Sequence, residues 1–149
     1  MSRNSSYFKG ERFNALAKKE GFRSRAAYKL IQIQKDFKLI KSGDNILDLG
    51  SAPGGWSQVA SNILSGSGSI IAIDLLPMKK ITNVDFHQLD LNDIDKINLR
   101  EISIVLSDIA PNITGVKIID DENMIALLEI EISIVAVSYT HLTLPTIPQ

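Results

Sequence analysis

The sequence predicts an α/β domain with a doubly wound, mostly parallel sheet. Short apolar runs alternate with helical or loop segments from residue 42 onward, and strands separated by crossovers of that length pair in parallel. The composition is that of one ordinary globular domain, because 44% of the 149 residues are hydrophobic and 22% are charged. A sheet of this kind binds its ligands at the carboxyl ends of its strands.

Two helices are predicted before the sheet. The polar residues Met1 to Phe8 are expected to be irregular. Helical patterns follow from about Arg12 to Lys19 and from Ser24 to Lys35, and the Ser24 side chain can cap the second helix. This part of the chain is therefore expected to be helical and to precede the α/β unit.

The sheet itself is predicted from four apolar runs. The expected strands are Asn45–Leu49, Ser69–Ile73, Val84–Leu89 and Ile102–Leu106. A helix from Gly54 or Gly55 to Leu64 connects the first two strands, and a further helix is expected at Asp120–Ala136, with acids in its first turn.

Charge is divided unevenly along the chain. Residues 1–41, here called the basic head, hold eleven Lys and Arg against three acids, a net charge of +8, whereas residues 42–149 have a net charge of −9. Such asymmetry suggests a polyanionic partner at one end. The absence of cysteine excludes disulfides, thiolate catalysis and cysteine zinc sites. With no apolar run of membrane-spanning length and no secretory signal, a soluble cytoplasmic protein without a membrane or metal partner is expected.

Each predicted strand brings an acid to the same edge of the sheet. Asp48 lies near the end of the first strand, and Asp74, Asp90 and Asp108 lie at the ends of the next three. These four side chains are here called the acidic rim. Because ligands bind at the carboxyl edge of such sheets, the acidic rim is expected to surround one.

The residues favour S-adenosylmethionine as the ligand of the acidic rim. The glycines from Gly50 to Gly55 follow the spacing G-x-x-x-G-G, and the dinucleotide pattern G-x-G-x-x-G is absent, which argues against NAD and FAD. Asp74 lies 24 residues after Gly50, where an acid can accept both hydroxyls of a ribose. An acidic site disfavours phosphate-rich cofactors and suits the cationic sulfonium and amino groups of S-adenosylmethionine.

Four longer motifs carry a family resemblance. They are RSRAAYKL at 23–30, DLGSAPGGWSQ at 48–58, DLLPM at 74–78 and SDIAPNITG at 107–115. Together they resemble the FtsJ/RrmJ (RlmE-type) ribosomal RNA ribose 2′-O-methyltransferases, from about Phe8 to Ala136. The resemblance implies a Rossmann-like methyltransferase fold and methyl transfer to a ribose 2′-hydroxyl, with a uridine of large-subunit (23S-type) ribosomal RNA as the expected target.

The resemblance also implies which residues hold S-adenosylmethionine. Gly54 and Trp56 are implied to contact its methionine end. Asp74 is implied to bind the ribose and Asp90 the adenine side. Asp108 is implied to contact the cofactor beside the reacting centre.

The catalytic and RNA-binding residues are implied in the same way. The family uses a Lys-Asp-Lys-Glu set around the target hydroxyl, in which Lys29 matches the first Lys and Asp108 the Asp. Arg23, Arg25 and Lys29 are expected to bind RNA phosphates. Arg25 and Lys29 also lie four residues apart on the predicted helix, and two neighbouring like charges favour an anionic ligand.

Three segments are expected: the RNA-binding basic head at 1–41, a partial methyltransferase domain at 42–136 whose C-terminal strands are missing, and a tail at 137–149. In the family, the second Lys and the Glu lie on later strands, and nothing in this sequence matches them. The tail resembles a translated sequencing-adapter read-through and is expected to be non-native. A chain with half of the catalytic set is expected to be nearly inactive.

Other functions remain open on these residues. One is a catalytically inactive RNA-binding or ribosome-assembly factor that uses the same basic head. Another is a tRNA ribose methyltransferase of the same family. A nucleotide-binding oxidoreductase is disfavoured by the glycine spacing. The expected partners are ribosomal RNA and the large ribosomal subunit, and the expected state is a monomer.

Overall fold

A computed structural model describes residues 2–99 and 101–109, with side chains from Gly10 onward. Its helices are α1 (Ser2–Lys19), α2 (Ala26–Phe37), α3 (Gly55–Leu64) and a 3-10 helix (Leu91–Lys96). Its strands are β1 (Asn45–Leu49), β2 (Ser69–Asp74), β3 (Val84–Gln88) and β4 (Ile104–Ser107). The helix predicted at 120–136 and the tail at 137–149 lie outside the described residues. No described helix has the length and apolar character needed to cross a membrane.

The four strands form one sheet in the order β3-β2-β1-β4. Every neighbouring pair is parallel, and Leu47 of β1 stands opposite Ile71 of β2 and Val105 of β4. The predicted parallel α/β architecture is therefore confirmed. In this order the chain continues from β1 to β2 on one side, while β4 returns to the other side of β1. Ligands bind at such a switch point in doubly wound sheets.

Both faces of the sheet are covered, which explains the continuous apolar runs of its central strands. Successive residues of a strand point to opposite faces, so Ile46 packs towards α2 and α3, whereas Leu47 packs against the other side. The first core contains Ala27, Leu30, Ile40, Ile46, Trp56, Val59, Ala60, Leu64, Ile70 and Leu106. The second contains Leu47, Leu49, Ile73, Leu99 and Ile102, with side chains of the 3-10 helix packed against it.

Both helices of the basic head begin at residues other than those predicted. Helix α1 begins at Ser2, so the segment expected to be irregular is helical. Helix α2 begins at Ala26, and its N-cap residue, Arg25, makes no side-chain capping bond. The expected cap by Ser24 is wrong, because the Ser24 hydroxyl lies where a Cβ on Gly55 would stand. Ser24 instead packs closely against Gly55, at the contact between the basic head and α3.

The last strand is shifted along the chain relative to its apolar run. Strand β4 pairs with β1 from Ile104, although Ile102 is also buried. Ser103 leads into the strand, and its N–H donates to the Asn45 carbonyl oxygen at 2.8 Å. The shift moves the strand's end to Ser107, so that Asp108 comes directly after it.

Candidate functional site

The loop after β1 turns sharply at the carboxyl edge of the sheet. Gly50 has a φ of +69°, a conformation that favours glycine. Its N–H donates to the Ile73 carbonyl oxygen over 2.8 Å. A side chain at this position would collide with the side chain of Ile109. The backbone conformation and the close neighbour both require glycine at the switch point.

The same loop ends at Gly54, directly before α3. Its φ is +115°, and a Cβ there would meet the side chains of Ile81, Met78 and Arg23. The loop therefore packs tightly against the segment that follows β2 and against the basic head. The cofactor contact expected of Gly54 stays a prediction, and the structure gives this glycine a packing role as well.

A cleft of about 310 Å³ separates this loop from the basic head. Sites for small molecules have volumes of about 300–1,000 Å³. The lining residues come from the two head helices, from the β1–α3 connection and from the end of β4. They are Asn14, Ser24, Arg25, Ala26, Asp48, Gly50, Ser51, Ala52, Pro53, Gly55, Trp56 and Asp108. The structure thus brings Trp56, Asp108 and Arg25, three of the predicted site residues, to one cleft.

A larger cleft of about 460 Å³ lies at the opposite edge of the sheet, where β2 and β3 begin. It is lined mainly by the turn after α3 and by the segment from Lys80 to Asp85. None of the acidic rim reaches it. Two members of the rim, Asp48 and Asp108, instead line the cleft at the carboxyl edge.

Asp48 is a buried acid beneath the cleft, with only 2% of its surface exposed. The Ser57 hydroxyl donates to its Oδ2 over 2.6 Å. Burial raises the pKa of the Asp48 carboxyl to about 7; the hydrogen bond from Ser57 lowers it, and the charges of Asp108 and Asp74 raise it further. Asp48 is thus held within the protein, where its hydrogen bond with Ser57 joins β1 to α3.

Ser51 has a buried hydroxyl that finds no partner among residues 2–99 and 101–109. The residue is 5% exposed and lines the cleft, and its Oγ makes no hydrogen bond to any of these described residues. A buried polar group left unpaired costs free energy and is rare in native structures. A hydroxyl facing a cleft with acids around it suits a ligand that carries amino and carboxylate groups. The residues present therefore fit S-adenosylmethionine.

Asp74 ties two loops together at the end of β2. Its Oδ2 accepts from the Ala52 N–H at 2.9 Å, and its Oδ1 accepts from the Leu76 N–H at 2.8 Å. Each carboxylate oxygen keeps a further lone pair for a ligand. The ribose contact predicted for Asp74 stays a prediction, and the loop contacts are a role that spacing alone did not indicate.

Asp90 caps the 3-10 helix that follows β3. Its Oδ1 accepts from both the backbone and the side-chain nitrogen of Asn92, each at 2.9 Å. Neither Asp90 nor Asp74 lines the cleft described above. The predicted adenine contact of Asp90 stays a prediction, and the structure shows a capping role beside it.

Trp56 lies at the first turn of α3 and is only 8% exposed. Its indole N–H donates to the Ala26 carbonyl oxygen over 2.8 Å, which joins α3 to the start of α2. The ring also lies 5.9 Å from the Lys29 Nζ, within reach of a cation–π interaction. Trp56 therefore belongs to the core and at the same time forms part of the cleft wall.

Lys29 and Asp108 meet where the basic head faces the acidic rim. The Lys29 Nζ lies 3.6 Å from the Asp108 Oδ1, and their side chains are 65% and 44% exposed. Sequence places them 79 residues apart, and only the packing of α2 against the sheet edge brings them together. This pair is the part of the predicted catalytic set that the structure assembles.

The two arginines of the 23–30 motif differ in their surroundings. Arg23 is half-buried, and its guanidinium donates to the carbonyl oxygens of Pro53, Lys79 and Lys80. Arg25 is exposed and lines the cleft, with its guanidinium beside Gly10 of α1. The RNA contacts expected of both residues stay predictions.

Some site residues were not singled out by the sequence analysis. Ser51 and Asn14 line the cleft, and Ser57 holds Asp48. The position of Ser57 one helical turn into α3 could have suggested a partner beneath that helix. No pattern in the sequence indicates Asn14, because its place depends on how α1 packs on the sheet edge. The structure describes no group of three or more His, Asp or Glu side chains able to hold a metal ion.

Comparisons with known proteins agree with this geometry. The family model of FtsJ-like methyltransferases matches residues 22–139. A Coxiella burnetii protein named ribosomal RNA large subunit methyltransferase E is 46% identical over 125 residues, which are 76% of this chain and 59% of that protein. The protein of the same name from Acinetobacter baumannii is 44% identical over 121 residues, 76% of this chain and 56% of its own length.

A solved structure gives the same result. The crystal structure of a ribosomal RNA methyltransferase from Plasmodium falciparum superimposes with a TM-score of 0.62 at 32% identity, over 80% of this chain and 69% of that one. The chain spans a little under three fifths of the curated relatives' length. The matched region includes α2, the sheet and every cleft residue except Asn14, and we conclude that the chain belongs to the family of FtsJ-like methyltransferases.

Proposed function

We propose that the protein transfers a methyl group from S-adenosylmethionine to a ribose 2′-hydroxyl of RNA, in large-subunit ribosomal RNA. The observation that carries the proposal is the meeting of Lys29 and Asp108, 3.6 Å apart, at the border between the basic head and the cleft. At this border Lys29, a cation that would bind RNA, faces Asp108 of the acidic rim. Both side chains are accessible to ligands. The names of the matched relatives support ribosomal RNA as the substrate.

The acidic rim supports the cofactor half of the proposal. Asp108 and the unpaired Ser51 hydroxyl both line the cleft. An acid accepts hydrogen bonds from a cationic amino group, and a free hydroxyl can pair with a carboxylate. We assign the methionine end of S-adenosylmethionine to this cleft, beside Gly54 and Trp56. Its ribose and adenine are assigned to the neighbouring strand ends, at Asp74 and Asp90.

The basic head supports the RNA half. Its net charge of +8 attracts phosphates irrespective of sequence. Arg25 and Lys29 are exposed on the side of the head that borders the cleft. RNA bound by these two residues would lie across the mouth of the cleft, which places a ribose close to Asp108.

The chemistry requires the hydroxyl to be held in line with the methyl group. When bound, the cofactor supplies an electrophilic methyl on its sulfonium. The residues of this chain would hold the ribose hydroxyl beside that methyl group, and the hydroxyl proton would leave to solvent. Lys29 donates a hydrogen bond to the ribose oxygen, and Asp108 accepts from Lys29 and fixes its direction. Positioning of this kind supplies much of the rate enhancement in such reactions.

We infer a slow reaction for this 149-residue chain. The sequence has no counterpart of the second Lys and the Glu of the family's set, and a missing proton acceptor costs roughly 10²–10⁴ in rate. The +8 net charge of the basic head also suits a second candidate, an RNA-binding or ribosome-assembly factor without activity. We further propose a cytoplasmic monomer that needs neither metal nor membrane, with the basic head at 1–41, the methyltransferase region at 42–136 and a non-native tail at 137–149.

Methyl transfer to ribosomal particles tests the proposed function. The chain, in excess, is incubated with methyl-labelled S-adenosylmethionine and hypomethylated large subunits, small subunits or tRNA, and the RNA is digested to nucleosides. We expect label in a 2′-O-methylnucleoside of the large subunit alone. Label on a base, or in tRNA only, would contradict the proposal. Cofactor and RNA binding without any label would favour the inactive factor.

A further inference from the structure

Arg23 connects the basic head to the loop after β1, which lines the cleft, and to the loop after β2. One Nη1 hydrogen bond reaches the Pro53 carbonyl oxygen at 3.2 Å, and a second reaches the Lys79 carbonyl oxygen at 2.5 Å. Nη2 donates to the Lys80 carbonyl oxygen at 2.8 Å. Three backbone carbonyls from two separate loops therefore converge on a single guanidinium, whose planar donors can serve all of them at once.

The backbone of Arg23 is fixed as well. Its N–H donates to the Gln58 Oε1 at 3.1 Å, and the Gln58 Nε2 donates in return to the Gly21 carbonyl oxygen at 2.8 Å. Gln58 lies in the first turn of α3. This helix directly follows the loop at 50–54, here called the glycine loop. The side chain of Arg23 is thus held in place on a short segment that is itself tied to α3.

The loops that Arg23 joins are those that Asp74 joins from the other side. Asp74 accepts from Ala52 in the loop after β1 and from Leu76 in the loop after β2. Arg23 bonds to the next residue of the first loop, Pro53, and to the far end of the second loop, at Lys79–Lys80. One acid and one cation therefore fix the spacing of these two segments.

We propose that Arg23 is a positioning residue that holds the glycine loop and the 75–80 loop at a fixed separation, and so couples the basic head to the cofactor cleft. The coupling to a cofactor rests on the proposed function, whereas the ordering of the loops does not. Arg25, two residues along the chain, is exposed and does not share this set of loop carbonyls. A direct consequence is that removing Arg23 weakens cofactor binding even when no RNA is present.

Hydrogen exchange of the ligand-free chain tests this inference. The variants are Arg23→Gln, Arg23→Lys, which keeps the charge but cannot span both loops, and Lys35→Gln as the control, because Lys35 is an exposed cation of the basic head that does not line the cleft. We expect amides at 50–58 and 75–81 to exchange at least about fivefold faster in both Arg23 variants, since loop closures held by hydrogen bonds are lost. Exchange in β1 and α2, and throughout Lys35→Gln, should match the wild type.

Unchanged exchange in either loop of Arg23→Gln would overturn the inference, and so would equal acceleration across the whole chain. Full rescue by Arg23→Lys would reduce the role of Arg23 to that of a charge and would also overturn it. Calorimetry with S-adenosylmethionine gives a second readout, with about tenfold weaker binding expected for Arg23→Gln and unchanged binding for Lys35→Gln. A wild-type chain that binds no S-adenosylmethionine would defeat the proposed function, while the exchange result would still decide the role of Arg23.

Discussion

The basic head and the acidic rim each contain two kinds of charged residue: some are bonded within the protein, and others are exposed to ligands. In the head, Arg23 bonds to three backbone carbonyls, whereas Lys29 is 65% exposed. In the rim, Asp48 is buried against Ser57 and Asp74 holds two loop amides, whereas Asp108 is 44% exposed. Each region thus uses some charges to maintain its own structure and presents others to a ligand.

This division shows which charges to associate with function. An ion pair between exposed side chains contributes only about 0–1 kcal/mol to stability. The pairing of Lys29 with Asp108 therefore does little for the fold, and its place at the mouth of the cleft suits a ligand-binding role. Asp48 and Arg23 have partners that account for their presence without any ligand in contact with them. Substituting an exposed charge should therefore affect ligand binding or methyl transfer, whereas substituting a charge bonded within the protein should affect stability or loop order.

The largest effect is expected from Lys29, the presented charge of the head. Lys29→Ala should lower the single-turnover rate of methyl transfer to large subunits by about 10²-fold or more, because it removes the donor that we propose for the reacting oxygen. The chain should remain folded, since the side chain is exposed. Labelled methyl incorporation measures the rate, and thermal melting measures the stability.

Lys35→Ala is the matched control for this variant. Lys35 is exposed on the same helix, and surface changes of this kind alter stability by less than about 0.5 kcal/mol. Its loss should change transfer less than threefold. If the two variants slowed transfer equally, Lys29 would be one phosphate contact among several. It would then have no special role among the exposed charges of the basic head.

The next effect concerns Asp48, the buried charge of the rim. Because its pKa is about 7 in the folded chain and 3.8 ordinarily, the folded state binds the extra proton between these values. Its stabilising contribution is present at low pH and is lost as the pH rises through about 7. Between about pH 5 and pH 8, the wild type should lose about 2–3 kcal/mol of unfolding free energy relative to Asp48→Asn.

Denaturant unfolding of both chains across this pH range gives the comparison. Asp95→Asn serves as the control, because Asp95 is an exposed acid on the 3-10 helix and its variant should keep the wild-type pH dependence. If Asp48→Asn showed the same pH dependence as the wild type, then Asp48 would be ionised in the fold across this pH range, and burial would not raise its pKa.

A smaller effect separates two serines that flank the cleft. Ser57→Ala should destabilise the chain by about 1–3 kcal/mol, because it removes the donor to a buried carboxyl. Ser51→Ala should leave stability unchanged or raise it by up to about 1 kcal/mol, since an unpaired hydroxyl is removed. Ser51→Ala should instead weaken S-adenosylmethionine binding severalfold. Destabilisation by Ser51→Ala with unchanged cofactor affinity would show that the Ser51 hydroxyl has a partner inside the protein.

Much of the fold could be predicted from the sequence, because buried parallel strands are continuous apolar runs. The extents of β1 and β2 follow from those runs to within one residue, and the acids at the strand ends follow from the extents. The place of β4 beside β1 does not follow from any local pattern. It depends on non-local packing, and it is this packing that brings Asp108 to Lys29.

The site could be predicted only as a set of residue types. Nothing local distinguishes Arg23 from Arg25, although one bonds inwards and the other is exposed. The partners of Asp74 come from two loops whose approach is set by tertiary structure. The cap expected at Ser24 failed for the same reason, because close packing against Gly55 took precedence over a local hydrogen bond.

Titration calorimetry of S-adenosylmethionine into the 149-residue chain tests the central claim most directly, with NAD⁺ as the comparison ligand and Asp108→Asn as the variant. The claim is that the acidic rim holds a cationic cofactor while the basic head is left for RNA. We predict one S-adenosylmethionine bound per chain, no heat with NAD⁺, and binding weakened about tenfold in Asp108→Asn, an effect of one charge-assisted hydrogen bond. Absence of S-adenosylmethionine binding, or tighter binding of NAD⁺, would contradict the claim.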